Sequence, residues 1–412
     1  MKKIKIGLIG LGQRGKGLLK TIFEMDDVEV VAVSDTYEDR VLQVQSLVQE
    51  KHGNLPMGTT DYREVLKLSE IEAVIISAAW EAHVEIAVAS MRAGKYTGLE
   101  VGGAYSIEDC WRLVRTSEET GIPCMMLENC CYGQIEMKCL NMAKKGAFGE
   151  IVHCEGGYHH NLREEILAGN EIRHYRLRNY TMRNCDNYPT HELGPIAKLL
   201  KINRGNRMLS LVSMASKAAG LHDYVSRRDG SESPLAQVKF AQGDVVTTII
   251  GCAGGETITL TLDTTLPRSY SRGFTVHGTR GYYEEATNSI YLERDSESYG
   301  GEWDPWQPQW NNAVTRYEEE FEHPLWKQYR KDGVKAGHGG MDWLVLRAFL
   351  ESAMEKAATP IDVYDTASWM CISVLTEQSI AMGGSPVAIP DFTNGKWMME
   401  RKQKQVEKYC LD

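Results

Sequence analysis

Ile4-Lys5-Ile6-Gly7-Leu8-Ile9-Gly10-Leu11-Gly12-Gln13-Arg14-Gly15 opens the chain with a short apolar run and then three glycines at one-, two-spaced intervals. Behind them, Lys16-Gly17-Leu18-Leu19-Lys20-Thr21-Ile22-Phe23 repeats apolar residues at helical spacing. A second apolar run, Val28-Glu29-Val30-Val31-Ala32-Val33, ends in Ser34-Asp35, with the acid twenty residues beyond Gly15. A glycine triplet alone is a weak signal. Strand, glycines, helix, strand and acid in this order predict a dinucleotide-binding unit. The glycines permit a tight turn and let the backbone approach a pyrophosphate, while the helix N-terminus offers unpaired N–H groups to that anion. Gly10, Gly12, Gln13, Arg14 and Gly15 are therefore expected to hold the cofactor. Asp35 is expected on the adenine ribose hydroxyls, where its charge repels a 2′-phosphate and favours NAD over NADP.

The pattern continues outward from that unit. Glu38 to Lys51 is helical in character, Ala73 to Ala78 is a buried-strand run, Ala82 to Gly94 a helix, Tyr96 to Glu100 a strand, Ile107 to Thr120 a helix and Pro123 to Glu128 a strand. Alternation at this rhythm predicts a doubly wound parallel sheet, an α/β Rossmann domain over residues 1–129. From Glu150 the rhythm changes to strand-length runs separated by turn residues: Ile151–His159, Met208–Met214, Leu235–Phe240, Asp244–Gly251, Thr257–Asp263 and Gly273–His277. These predict an α+β second domain over residues 130–412, with an open, mostly antiparallel sheet and helices at His191–Leu200 and Met341–Ala357. A helix at Thr366–Met382 is expected to pack back on the first domain. The long stretch Asp295–Gly339, rich in Trp, Tyr, Glu and Pro, reads as a functional loop or arm.

Composition narrows the class. The chain has 412 residues, 42% of them hydrophobic, enough for two cores, and a net charge of −10 that disfavours nucleic-acid and anionic-membrane partners. It has no run of about eighteen apolar residues and no secretory leader, so a cytoplasmic location is the default expectation. Ten cysteines without a Cys-x-x-Cys pair agree with a reducing compartment, and Cys130-Cys131 reads as two buried thiols. No His-Glu-x-x-His spacing occurs, and the neighbours His159 and His160 face opposite sides of a strand, so no metal site is expected.

Parallel nucleotide domain followed by an open antiparallel sheet resembles the Gfo/Idh/MocA oxidoreductases. Five stretches are similar to glycoside hydrolase family 109, the NAD-dependent α-N-acetylgalactosaminidases: Leu127–Gly133, Gly146–Ile151 leading into Glu155–Arg163, Tyr188–Pro195, Pro267–Arg272 and Gly337–Asp342. Tyr188-Pro189-Thr190-His191 is the most specific piece. One departure is informative. Sugar dehydrogenases of the wider family carry Glu-Lys-Pro after the fourth strand, whose lysine assists hydride transfer, whereas this chain reads Glu100-Val101-Gly102. Glu100 remains a cofactor-binding expectation, and net alcohol oxidation through that lysine is disfavoured. A second departure is the absence of the twin-arginine leader that many family members carry, which points to imported oligosaccharides or small glycosides.

The resemblance implies a glycosidase in which NAD oxidises carbon 3 of the sugar, the ketone acidifies the proton on carbon 2, elimination expels the group on carbon 1, water adds and the ketone is reduced again. It implies His191 as base for the hydroxyl and Tyr158 as the second catalytic residue. Arg176, Tyr188, Tyr270 and Glu128 then line the sugar pocket, Glu128 on a hydroxyl near the nicotinamide. The residues themselves add some support. Thr190 is a plausible N-cap, which puts His191 in the first turn of a helix, where the positive helix end favours a neutral ring. A tyrosine needs a cationic neighbour or a lowered pKa to take a proton, and His160, Arg163 and Arg176 are the candidates to provide it. Against these stand blander alternatives: a loop-capping histidine, a core tyrosine and a solvated arginine within the basic run Arg173–Arg183. Trp303, Trp306 and Trp310 fit a sugar platform less well than a loop anchored by its own aromatics or an oligomer contact. Other readings are the same mechanism on another glycoside or a 3-keto-glycoside, a sugar or cyclitol dehydrogenase, and a non-catalytic NAD-binding sensor. The number of subunits stays open, a homo-oligomer through the open sheet face being one arrangement.

Overall fold

The computed structural model describes residues 3–295, 314–335, 337–399 and 404–412. Trp303, Trp306 and Trp310 lie outside them. The first sheet has six strands, β1 (Ile4–Ile9), β2 (Val28–Ser34), β3 (Met57–Thr59), β4 (Ala73–Ile76), β5 (Tyr96–Leu99) and β6 (Cys124–Met126), in the order β3-β2-β1-β4-β5-β6. Every pairing in it is parallel. Helices cover both faces, which is why β1 and β4 are buried almost throughout. Strand order reverses between β1 and β4, so the loops after them part and open a crevice at the carboxyl edge of the sheet.

The second sheet has eight strands: β7 (Ile151–His159), β8 (Met208–Ala215), β9 (Val245–Cys252), β10 (Thr257–Asp263), β11 (Thr275–Gly278), β12 (Gly281–Glu284), β13 (Ser289–Leu292) and β14 (Val387–Ala388). Their order is β13-β12-β11-β7-β10-β9-β8-β14, antiparallel except for the central pair β7 and β10. That parallel pair is long in chain distance, because the connection carries four α-helices and two strands before returning. One face of the sheet meets the helix Thr190–Leu199, and the alternation of β7 places Cys154, Gly156 and Tyr158 on that side. Gly156 is required there, since a Cβ would stand 2.4 Å from Cβ of Glu192.

Two stretches depart from the sequence expectation. Leu235–Phe240 is not a strand: Pro234 lacks an amide donor and starts a short 3-10 turn, Pro234–Gln237, instead. The stretch Asp295–Gly339 is not wholly loop, because its described part holds the helices Glu318–Phe321 and Pro324–Asp332, the latter burying Trp326 and Tyr329. The short strands β12 and β13 follow a tight turn at Thr279–Arg280 and are too brief to announce themselves by alternation. Helix Val363–Ala381 lies between the domains, touching helix Ile107–Thr120 and β6 on one side and β8 on the other. Thr366 Oγ1 accepts from the Met126 amide at 3.1 Å, and Ser379 Oγ accepts from the Ser213 amide at 2.9 Å. Nine of the ten cysteines are buried and all are free thiols. Among the described residues no helix is long and apolar enough to cross a membrane.

The glycine turn gives a sharp test of this packing. A Cβ on Gly15 would stand 2.1 Å from the Gly10 carbonyl oxygen and 2.7 Å from Ser77 Oγ, whereas one on Gly12 meets nothing nearer than Arg40 Nη1 at 3.6 Å. Gly15→Ala is expected to lose about 1–3 kcal/mol in chemical denaturation as the helix is forced off the sheet. Gly12→Ala is expected to keep native stability and to weaken NAD binding, because its methyl occupies the side on which a pyrophosphate approaches.

Candidate active site

The cofactor end of the site is built from the loops that leave β1, β2, β4, β5 and β6. Helix Gln13–Ile22 begins with Gly12 at its N-cap, with no side-chain cap and no acid in its first turn. Its first amides are thus available to an anion, and the bare Gly12 leaves room for one. The chain fits a dinucleotide at this position. Asp35 stands at the end of β2, its Oδ2 accepting from the Leu11 amide at 2.7 Å and its Oδ1 from the Tyr37 amide at 3.0 Å. Arg40, which sequence reasoning missed, brings its guanidinium within 3.6 Å of the same carboxylate.

Arg14 and Glu100 come together, though not as separate cofactor contacts. Arg14 Nε donates to Glu100 Oε1 at 2.9 Å, and Nη1 and Nη2 donate to Oδ2 and Oδ1 of Asp342 at 2.8 and 3.0 Å. The Arg14 side chain is therefore taken up by two carboxylates, and what the loop offers an incoming phosphate is backbone. Gln13 is exposed at the start of the helix. Asp342 also accepts from Asn129 Nδ2 at 2.8 Å and shares a 2.7 Å bond with His338 Nδ1. Burial pushes the Asp342 carboxyl up, but His338 and Arg14 outweigh it and hold it well below the usual carboxylate range. The His338-Gly339-Gly340-Met341-Asp342 stretch thus anchors the C-terminal helix Met341–Glu355 to the glycine loop, a tie across 328 residues of sequence.

The substrate end gathers the aromatic and histidine residues singled out above. Tyr158, on the inner face of β7, has the Tyr188 ring at 4.5 Å, the His191 ring at 5.3 Å and the Tyr270 ring at 6.5 Å between centroids. Tyr188 meets His191 edge-on at 4.7 Å. Tyr158 Oη and His160 Nδ1 share a 3.0 Å hydrogen bond, as residues two apart on one strand face can. Burial pushes the Tyr158 phenol up, against the pull of the nearby Arg176. Burial likewise pushes the His160 imidazole down, leaving a neutral ring beside the phenol. Arg163 lies elsewhere, stacked over Tyr224 and bonded to Asn161.

Arg176 is no solvated arginine. Only 7% exposed, it pairs with Glu165 at 2.7 Å and lies over the rings of Trp80 and Tyr188 at 5.1 and 5.2 Å. Tyr270 is the open wall of the site, 53% exposed. Trp80, Tyr175, Glu165 and His160 complete the pocket, and sequence reasoning gave the first three no role. Trp80 was legible only as an aromatic after β4, and Glu165 only as one of many surface acids.

His191 and Glu128 meet across the two domains. Helix Thr190–Leu199 begins after Pro189, so Thr190 is its first residue rather than its cap, and His191 still falls in the first turn. His191 Nδ1 lies 2.7 Å from Glu128 Oε1, which also accepts from the Cys130 amide at 3.2 Å. Burial pushes the Glu128 carboxyl up, but His191 outweighs it and holds it below the usual range, so the group is a carboxylate. A carboxylate can only accept, so Nδ1 carries a hydrogen toward Glu128 and the ring is held in one orientation. Glu128 itself is 0% exposed and engaged with His191. Its position in the chain, after the last parallel strand, was visible in sequence, but its burial was not.

The arrangement is that of a two-domain nicotinamide-dependent enzyme with a polar and aromatic cluster beside the cofactor crevice. Residues 4–127 match the oxidoreductase family model with an NAD-binding Rossmann fold, and residues 132–399 match the model of the glycosyl hydrolase 109 C-terminal domain. A glycosyl hydrolase family 109 protein of Stenotrophomonas maltophilia is 39% identical over 424 aligned positions, covering 97% of this chain and 91% of the relative. An alpha-N-acetylgalactosaminidase of Tannerella forsythia is 38% identical, covering 96% and 87%. Among solved structures, a levoglucosan dehydrogenase in complex with NADH and levoglucosan has a TM-score of 0.69 at 17% identity, covering 94% of this chain and 100% of that one. This last likeness establishes the fold. The chain belongs to glycosyl hydrolase family 109: it is a glycosidase whose N-terminal domain binds NAD.

Two variants test the geometry. Glu128→Gln keeps the shape but removes the charge that holds the Nδ1–H tautomer, and is expected to lower kcat at least about a hundredfold with NAD affinity unchanged. Asp35→Ala is expected to weaken NAD binding and, with Arg40 released, to narrow the preference over NADP. Fluorescence titration with the two cofactors measures it, and a native protein that binds NADP more tightly than NAD contradicts the assignment.

Proposed function

We propose that the enzyme releases terminal α-linked N-acetylgalactosamine from small glycosides or oligosaccharides by an oxidation–elimination–addition–reduction cycle. The observation that carries this is the Tyr158–Tyr188–His191 cluster, with His191 backed by a buried carboxylate, while the nearby Glu136 and Glu192 are both held by Arg272. Glu128 is engaged with His191, and Glu165 with Arg176, so neither is positioned as a nucleophile or a second acid. Two relatives, of Tannerella forsythia and Shewanella oneidensis, are alpha-N-acetylgalactosaminidases, which supports the choice of sugar.

The glycine turn and Asp35 would hold NAD, which would supply a reversible hydride acceptor. The chain's own residues move the protons. His191 accepts the carbon-3 hydroxyl proton at Nε2 while Nδ1–H stays on Glu128, the carboxylate stabilising the imidazolium that forms. Tyr158 takes the carbon-2 proton once the adjacent carbonyl has made it acidic. Its buried phenol is protonated at rest, so we assign His160 the task of accepting the phenolic proton across their shared hydrogen bond, with Arg176 stabilising the phenolate. Arg176, Tyr188 and Tyr270 bind the sugar, and Trp80 backs Arg176. The absence of the Glu-Lys-Pro lysine favours this reading over a dehydrogenase that releases NADH. The division of work follows a boundary at residues 129/130, with a cytoplasmic protein as the setting.

With an aryl α-N-acetylgalactosaminide in deuterated water, the released sugar is expected to carry deuterium at carbon 2, and Tyr158→Phe to abolish the label with NAD still bound. Unlabelled product at full turnover contradicts the elimination. In single turnover, Tyr158→Phe is expected to accumulate NADH absorbance and stall, whereas His191→Ala, slower by at least about a hundredfold, is expected not to reach it. NADH formation at the native rate in His191→Ala removes the histidine from its role.

A further inference from the structure

The outer face of the second sheet carries a cluster that the glycosidase pocket does not use. His153 and Glu155 are two residues apart on β7 and share that face, opposite to Tyr158. Antiparallel pairing with β11 sets His277 directly across from His153. A ring nitrogen of each histidine and a carboxylate oxygen of Glu155 lie within 4.8 Å of one another. His153 Nε2 is 3.3 Å from Glu155 Oε1, and the two imidazole centroids are 5.2 Å apart.

Two further features resemble a ligand set more than a chance ion pair. The other nitrogen of His153, Nδ1, shares a 2.7 Å hydrogen bond with the Thr257 hydroxyl of β10, which fixes the ring with Nε2 toward Glu155. Metal-binding histidines are commonly held this way by a partner on the remote nitrogen. His277 Nε2 is shut off from solvent and has no hydrogen-bond partner among the described residues. The Tyr282 ring of β12 meets the His277 ring edge-on at 4.7 Å between centroids. A shielded, unpaired ring nitrogen beside a histidine and a carboxylate is poorly served by protein alone.

We infer that His153, Glu155 and His277 form a three-ligand site for a divalent cation of the zinc type, with a fourth position open to solvent. Two imidazoles and one carboxylate are a zinc-type donor set, whereas Mg²⁺ and Ca²⁺ require more oxygens than the cluster has. With bonds of about 2.0–2.1 Å, tetrahedral ligands stand about 3.4 Å apart, so His153 and Glu155 are already in place and His277 needs a small closing shift. The cation ties β7 to β11 on the side away from Tyr158, bracing the strand that carries it. The spacing is invisible in sequence because His277 joins the other two only through the sheet.

Calorimetric titration of the full-length, cofactor-loaded protein with Zn²⁺, after chelator treatment, tests the site. Saturable binding of about one Zn²⁺ per chain is expected, weakened at least about tenfold by His277→Ala and by Glu155→Gln, and about tenfold by Thr257→Val. Mg²⁺ is expected not to compete. Glu128, Cys130 and His191 also lie within 4.8 Å of one another, so His191→Ala is titrated alongside and is expected to bind Zn²⁺ as the native protein does. Thermal melting without zinc shows whether each variant is folded, and zinc is expected to raise the midpoint of the native chain but not that of His277→Ala. Absence of saturable binding overturns the proposal. So does binding that survives in the folded Glu155→Gln and His277→Ala variants, or that is lost in His191→Ala instead.

Discussion

The 2.7 Å bond between Glu128 and His191 is the contact on which the active site depends. Glu128 leaves the last strand of the parallel sheet, and His191 opens a helix that lies against the antiparallel one. The bond therefore fixes the His191 imidazole at the end of the nucleotide crevice, in one orientation. The helix is seated closely enough that a Cβ on Gly194 would come within 2.9 Å of Glu128 Cγ and 3.0 Å of Cys131 Sγ. Fully buried, the carboxylate would be costly without its partner, so the imidazole and the domain seam stabilise one another.

A second tie holds the cofactor side. Arg14 in the glycine loop is gripped by Glu100 and Asp342, and Asp342 also fastens Asn129 and His338. In a dehydrogenase of the same fold the segment after β5 carries a lysine toward the substrate. Here Val101 stands at the lysine's place, and Glu100 before it pairs with Arg14 of the glycine loop. The C-terminal helices thereby close against the Rossmann domain, and residues more than three hundred positions apart become one wall.

How much was legible in sequence follows from the range of the physics. The βαβ unit at Ile4–Asp35 was readable because turn, helix start and strand are each set by neighbours within a few residues. Strands of seven or more residues in the second domain were readable by alternation, whereas β12 and β13, four residues each, were not. Leu235–Phe240 had a strand-like apolar run, but the proline ahead of it decided the local backbone. Tyr158, Tyr188, His191, Arg176 and Tyr270 stand out in sequence through family motifs, and the structure brings them together. Arg40, Trp80 and Glu165 had no such signal, being ordinary residue types whose roles come from what they pack against.

By itself the sequence determined the glycine turn, the acid that ends the second strand and the change from parallel to antiparallel architecture, since these rest on local backbone preference and on periodic burial. It also carried the residue types that the chemistry needs. Only the tertiary structure decided which carboxylate is charged beneath which imidazole, that Arg14 faces Glu100 and Asp342 rather than a phosphate, and that His153, Glu155 and His277 share one corner of a sheet. Each of those outcomes depends on burial and on pairing between distant segments, and a protonation state is set by the groups that surround a side chain in space, not by those that flank it in the chain.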